Sequence, residues 1–273
     1  MTAVLPLNPP LSKPHAGRVA WITGSTSGIG WAVARQLAGE GAAIALHGSA
    51  QASADTDAQL AELHALGVAA RYYPLDLSDG QAIAPLARRI AAELGAVDIL
   101  VNNAGIQHVE SVLSFPPDRW NTMLAVNLSA PFHTIQACTP AMLERGWGRI
   151  INMASVSGLV GVAHKPAYVA SKHGLLGLTK SVALELATTP VTCNAICPGW
   201  VLTPLVQAQI DTLAQREQLD EAAARARLLG AKQPSQAFVT VEQVAALVGF
   251  LASDNAAQVR GAQWNMDGGF TAA

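Results

Sequence analysis

The chain has 273 residues, 51% of them hydrophobic and only 13% charged, with a formal net charge of -2 at pH 7. That length suits one α/β domain with a large core, and the low charge implies extensive burial within the chain or between copies of it. With no basic patch, no charge run and no apolar stretch near the roughly 20 residues of a membrane span, the chain is expected to bind neither nucleic acid nor membrane.

Residues 1–17 carry four prolines and little periodicity. A basic head, apolar run and cleavage site are missing, so a loose tail is expected and not a signal peptide. From there short β-branched runs at 18–23, 43–46, 69–74, 97–102, 148–153, 191–196 and 262–266 alternate with helical patterns at 28–38, 55–66, 81–94, 117–145, 167–187 and 241–253. Strands separated by long helices imply right-handed βαβ units and a parallel sheet covered on both faces, a doubly wound α/β domain over 18–273. The large departure is 203–233, a helical insertion expected to act as a lid; Leu205, Val206, Ile210 and Leu213 at helical spacing fit ordinary packing equally well. Cys138, Cys193 and Cys197 form no CxxC pair, which fits core packing and a reducing, cytoplasmic setting.

The first strand runs into Thr23-Gly24-Ser25-Thr26-Ser27-Gly28-Ile29-Gly30 and then a helix. Glycine suits a backbone that turns sharply and approaches a pyrophosphate, and the helix that follows directs its free N–H groups at an anion. On its own such a turn is also found between ordinary strands and helices. The second strand ends in Leu46-His47-Gly48-Ser49, with neither the acid that reads an NAD ribose nor the cation that compensates the NADP phosphate. The absence of a cation favours NAD. Asp76 is a candidate acceptor for the adenine amino group, or a cap for the helix beyond Ser78.

Strand four ends in Asn102-Asn103-Ala104-Gly105, and Asn127, Ser155 and Tyr168-Val169-Ala170-Ser171-Lys172 follow. Tyr168 and Lys172 share a helix face at i, i+4. A free phenol titrates near ~10, and an adjacent ammonium lowers that by roughly 1–3 units, toward useful acid–base chemistry. By itself this spacing is usually surface decoration.

Together TGSTSGIG at 23–30, NNAG at 102–105, Asn127, Ser155, YVASK at 168–172 and Pro198-Gly199 resemble, in order, the short-chain dehydrogenase/reductase family over 18–270. The resemblance implies a Rossmann-type sheet of seven parallel strands, a homotetramer and a catalytic tetrad of Asn127, Ser155, Tyr168 and Lys172. In that scheme Tyr168 exchanges the substrate proton and Ser155 holds the carbonyl oxygen. Lys172 binds the nicotinamide ribose and lowers the Tyr168 pKa, and Asn127 supports a water linking Lys172 to solvent. Cofactor contacts are implied for Gly24, Thr26, Ser27, Gly28, Ile29, Gly30, Asp76, Leu77, Asn103, Ala104, Gly105, Pro198, Gly199, Val201 and Thr203, besides Tyr168 and Lys172.

A narrower resemblance rests on NAGIQH at 103–108, CPGWVLTPLV at 197–206, KQPSQAFVT at 232–240 and the terminal Asp267-Gly268-Gly269. It is to family members that interconvert (R)-3-hydroxybutyrate and acetoacetate, and it implies that Gln107, Lys165 and Gln209 join Ser155 and Tyr168 around a small carboxylate. Lys165 suits the anion by charge, although a solvated loop lysine fits as well. Ser157 stands where those members carry a substrate-contacting histidine, with neighbouring His164 a candidate substitute, and Phe270 stands where they carry tryptophan. One lost donor weakens carboxylate recognition by ~1–3 kcal/mol. The expectation is an NAD-dependent hydroxy-acid dehydrogenase, with a broader 3-oxoacid or 3-oxoester reductase as the alternative. A non-catalytic dinucleotide-binding regulator is a third reading, opposed by the complete tetrad. No residue spacing demands a metal; the resemblance leaves room only for a structural ion at a subunit interface.

Overall fold

The computed structural model describes residues 13–230 and 232–272. In chain order the elements are β1 (Val19–Ile22), α1 (Gly28–Gly39), β2 (Ala43–Gly48), α2 (Ala54–Ala65), β3 (Ala70–Pro74), α3 (Gly80–Glu93), β4 (Ile99–Asn102), α4 (Pro117–Leu124), α5 (Ala130–Glu144), β5 (Gly148–Met153), α6 (Pro166–Glu185), β6 (Val191–Pro198), α7 (Pro204–Glu217), α8 (Glu221–Gly230), α9 (Val241–Ala252) and β7 (Gln263–Met266). The seven strands pair in the order β3-β2-β1-β4-β5-β6-β7, every pair parallel.

Strand side chains alternate between two cores, as the period of two requires. Ala20 and Ile22 of β1, with Ile99 and Val101 of β4, pack under α1 and α9. Val19, Trp21 and Leu100 pack on the other face with α3 and α5 residues such as Ile83, Ile90, Ile135 and Met142. Both faces are covered, so β1 at the centre reads VAWI, buried and apolar at every position instead of alternating with polar residues. The chain leaves β1 toward β2 and β3, then returns to β4 on the other side, and the reversal opens a crevice at the carboxyl ends of β1 and β4.

The expected helix over 117–145 is interrupted. Residues Ala125–Ser129 form a π-turn between α4 and α5, and the Ala130 N–H bonds the Ala125 carbonyl. Pro131 follows in the first turn of α5. It has no N–H for the carbonyl of Asn127, and the wider turn accommodates that missing bond. Strand β2 runs two residues past the expected end, so His47 and Gly48 pair with Tyr73 and Pro74 of β3.

Of the expected tail, residues 1–12 lie outside the described residues. Residues 13–17 are fastened to the end of α1: the His15 N–H donates to the Glu40 carbonyl at 2.9 Å and its ring sits 3.2 Å from the Glu40 carboxylate. The 203–233 insertion forms α7 and α8, whose Val206, Ile210 and Ala224 make a small core of their own with Leu213 and Trp200.

Candidate active site

A cleft of about 530 Å³ runs along the carboxyl ends of the strands. One end is built by the turn from β1 into α1. Gly24 and Gly28 hold positive φ of 61° and 52°, a backbone that glycine adopts without strain. Ser27, the N-cap of α1, makes no side-chain cap hydrogen bond, and no acidic side chain occupies the first turn. The N-terminal amides of α1 are therefore uncapped by the chain's own side chains, which fits a pyrophosphate. Thr26, Ser27, Gly28 and Ile29 line the cleft, and Gly30 does not. A Cβ at Gly30 would collide with the Gly24 carbonyl and lie 2.6 Å from Asn103 Nδ2, so this glycine serves close packing behind the loop.

Asn103 lines the cleft, but its side-chain amide is spent on the glycine turn, donating to the carbonyls of Thr23 at 3.0 Å and Gly24 at 2.9 Å. His47 Nδ1 accepts the Gly24 N–H at 3.1 Å. The ring is buried, and burial pushes its pKa down to about 4, so His47 is neutral and lends the cleft no cation. Asp76 and Leu77 line the adjacent wall, and one Asp76 oxygen accepts the Ser78 N–H at 2.9 Å; the helix beyond is capped not by Asp76 but by Asp79, which accepts the Gln81 N–H at 3.1 Å. Ala104, Gly105, Pro198, Gly199, Val201 and Thr203 complete the expected lining. Among the described residues that line the cleft, Lys172 is the sole lysine or arginine.

At the other end Ser155, Tyr168 and Lys172 converge. Ser155 Oγ accepts the Ser157 N–H at 3.1 Å, which orients the hydroxyl. Lys172 is buried, donates to the Met153 carbonyl at 2.7 Å, and lies 5.6 Å from the Tyr168 ring centroid. Burial pushes the Lys172 pKa down to about 8. Burial also pushes the Tyr168 phenol above its ordinary range, with a hydrogen bond from Ser155 pulling the other way. Asn127 is buried beside the cleft without lining it, and its amide clamps the backbone of Ile106 with two 2.9 Å bonds.

A smaller pocket of about 90 Å³ opens beside Ser155 and Tyr168, lined also by Gln107, Ser157, Lys165 and Gln209. The Lys165 ammonium donates to Gln209 Oε1 at 3.2 Å, and Gln209 Nε2 donates to Gln107 Oε1 at 3.3 Å. Three side chains from distant parts of the chain therefore form one polar wall. Burial, then the charge of Lys232, pushes the Lys165 pKa down to about 8. His164 is the exception among the expected contacts. It is exposed in a tight turn at φ 63°, with its carbonyl accepting the Glu110 N–H, and it is not among the residues lining the pocket. The pocket also holds Trp200, with Lys165 5.1 Å from its ring centroid, and Lys232. Both lie in segments singled out by the sequence, but nothing in their spacing tied them to the pocket.

A model of the short chain dehydrogenase family matches residues 18–214. The chain belongs to the short-chain dehydrogenase family. It is 50% identical over 258 residues to the D-beta-hydroxybutyrate dehydrogenase of Cupriavidus necator, covering 94% of this chain and 98% of that protein. It is 47% identical over 258 residues to the D-beta-hydroxybutyrate dehydrogenase of Rhizobium meliloti, covering 93% and 99%. Among solved structures, a dehydrogenase from Agrobacterium tumefaciens with bound NADP superposes with a TM-score of 0.82 at 32% identity, covering 97% of this chain and 100% of that one. The chain is an oxidoreductase that moves a hydride between a nicotinamide dinucleotide and a secondary alcohol or ketone. The cleft suits such a dinucleotide: uncapped amides at one end, a tyrosine, serine and lysine at the other.

Proposed function

We propose that the chain interconverts (R)-3-hydroxybutyrate, the compound also written D-beta-hydroxybutyrate, and acetoacetate with NAD as cofactor. The observation that carries this is the Gln107–Gln209–Lys165 wall on a pocket of about 90 Å³ that opens on Ser155 and Tyr168. A cation flanked by amides at the back of so small a pocket suits a short carboxylate. The relatives from Cupriavidus and Rhizobium carry that substrate in their names.

A nicotinamide dinucleotide, when bound, accepts or supplies the hydride. The chain's own groups handle the rest. Tyr168 takes the hydroxyl proton as the alcohol is oxidised and returns it on reduction, which is general acid–base work by a positioned phenol. Ser155 Oγ is oriented by accepting the Ser157 N–H, and its O–H, directed at Tyr168, would turn to donate to the carbonyl oxygen. Lys172 would hold the ribose hydroxyls, and its positive charge offsets the negative charge that a Tyr168 phenolate carries. Asn127 fixes the backbone at Ile106 and with it the wall beside Lys172. The α1 amides with Gly24, Thr26, Ser27, Gly28 and Ile29 would hold the pyrophosphate, and Asp76 with Leu77 the adenine side.

NAD is favoured over NADP because His47, Gly48 and Ser49 line the ribose end without a charged nitrogen, His47 being neutral. The α7–α8 insertion is proposed as a lid: its small core is separate from the two main ones, and Gln209 reaches from it into the pocket. A homotetramer is the proposed assembly, supported by exposed apolar side chains on α5 (Phe132, Leu143), α6 (Leu184) and α9 (Phe250). Three unpaired buried cysteines fit a cytoplasmic setting, and among the described residues no helix is long and apolar enough to cross a membrane.

Steady-state assays with both substrates, each with NAD(H) and NADP(H), test the proposal. Turnover of the four-carbon acids with a preference for NAD(H) is expected; no turnover of either acid by a preparation that binds NAD would overturn it. A broader 3-oxoacid or 3-oxoester reductase is the second reading, favoured by Ser157, whose small side chain leaves the pocket roomier.

A further inference from the structure

Lys232 is a second cation on the substrate pocket. It lines both that pocket and an adjoining surface cavity of about 380 Å³, and the two cavities meet at Lys232 and Phe270. Its ammonium lies 5.9 Å from the Phe270 ring centroid, held at the passage between them. Among the described residues neither Lys165 nor Lys232 has an ion-pair partner, and neither cavity is lined by Asp or Glu.

The two lysines feel one another: after burial, the charge of Lys232 is what lowers the Lys165 pKa to about 8. Lys232 is solvent-exposed at the mouth, so water screens part of this repulsion, but two cations without an ion-pair partner among the described residues still line one pocket. A single carboxylate on Lys165 neutralises one of them and leaves the other. The outer cavity, bounded by Gly161, Pro234 and Gly269, carries little side-chain bulk and leaves room for a longer molecule beyond Phe270.

We propose that the site takes 3-hydroxy and 3-oxo dicarboxylic acids, with one carboxylate on Lys165 and the second, beyond the carbinol carbon, passing Phe270 to reach Lys232. This rests on the reading of the pocket as a hydroxy-acid site. The chemistry is that of the monocarboxylate. The C3–H bond breaks as its hydride reduces the oxidised dinucleotide, the hydroxyl proton passes to the Tyr168 phenolate to give the phenol, and the carbinol becomes a ketone with both carboxylates untouched.

The test measures kcat/KM for 3-hydroxyadipate and 3-hydroxyhexanoate, which share a chain length and differ in the terminal charge, with 3-hydroxybutyrate as reference. The native protein is expected to prefer the dicarboxylate at least tenfold. Lys232→Met is expected to bring that ratio to one or below, and Lys232→Arg, which keeps the charge, to retain it. Because the readout is a ratio within each variant, a general loss of activity does not imitate the effect. A native ratio near one, or a preference that survives Lys232→Met, overturns the second-anion site. If 3-hydroxybutyrate is turned over in that case, the monocarboxylate reading stands. No turnover of any of the three acids overturns both.

Discussion

Gln209 on α7 accepts a hydrogen bond from the Lys165 ammonium at 3.2 Å and donates to Gln107 at 3.3 Å, so one side chain of the insertion completes the wall on which a carboxylate would sit. Replacing it by Leu removes both bonds while keeping the helix. A hydrogen bond to a charged group is worth roughly 1.5–3 kcal/mol. Gln209→Leu is therefore expected to raise KM for the hydroxy acid by roughly 10- to 100-fold, with kcat changed far less. Steady-state kinetics give the split, and a variant with native KM removes Gln209 from the site.

Tyr168 is the proton-handling group on this reading, and Phe keeps its ring and packing. Tyr168→Phe is expected to lower kcat by roughly 100- to 10,000-fold, the usual share of general acid–base catalysis. Titration of NADH fluorescence should give nearly the native dissociation constant, since the phosphate end of the cleft is untouched. Substantial residual turnover would reassign the proton to another group.

Much of this was legible in residues whose chemistry is local. Gly24 and Gly28 announce a turn that needs positive φ, and the helix after them announces where an anion sits. Parallel pairing follows from β-runs alternating with helices, whereas the order of the strands is set by long-range packing that the alternation does not encode. Asn127 and His47 were harder. The π-turn that aims Asn127 at Ile106 arises because Pro131 cannot bond back to it, a relation hidden inside a continuous helical pattern. His47 reads as a cofactor-facing strand end, yet it works inward, accepting the Gly24 N–H. His164 misled because adjacency to Lys165 says nothing of direction, and a residue at φ 63° turns the chain there. Lys232 reaches the pocket only through the fold of the α8 end against the C-terminal segment, a contact that no spacing encodes.

His47 makes the glycine turn sensitive to acid. Its pKa falls from 6.5 to about 4 on folding, because burial disfavours the charged ring. Below pH 6.5 the unfolded chain takes up a proton that the folded ring refuses. Stability is therefore full above that pH and declines as pH drops toward 4, by on the order of 3 kcal/mol for this group. Urea unfolding at pH 7 and at pH 5 should show the loss. His47→Gln, which keeps a side-chain acceptor and does not titrate, should have a smaller difference between the two. An equal difference in the variant would move the acid sensitivity elsewhere.

Lys165 sets the opposite limb. Its pKa is lowered from 10.5 to about 8, first by burial and then by Lys232, so its charge is present below pH 8 and lost above it. A carboxylate substrate needs that charge, and kcat/KM reports the ionisation of the free enzyme. For acetoacetate reduction, kcat/KM should fall as pH rises through about 8, through KM. Lys172 titrates in the same range, so acetoacetate alone does not identify the group. The methyl ester of acetoacetate separates them, because it has no carboxylate for Lys165 but still needs Lys172. Its KM should stay flat across pH 8 while the acid's climbs, and Lys165→Met should raise the acid's KM and abolish its pH dependence. A parallel rise in KM for acid and ester would assign the limb to Lys172 and leave Lys165 outside substrate binding.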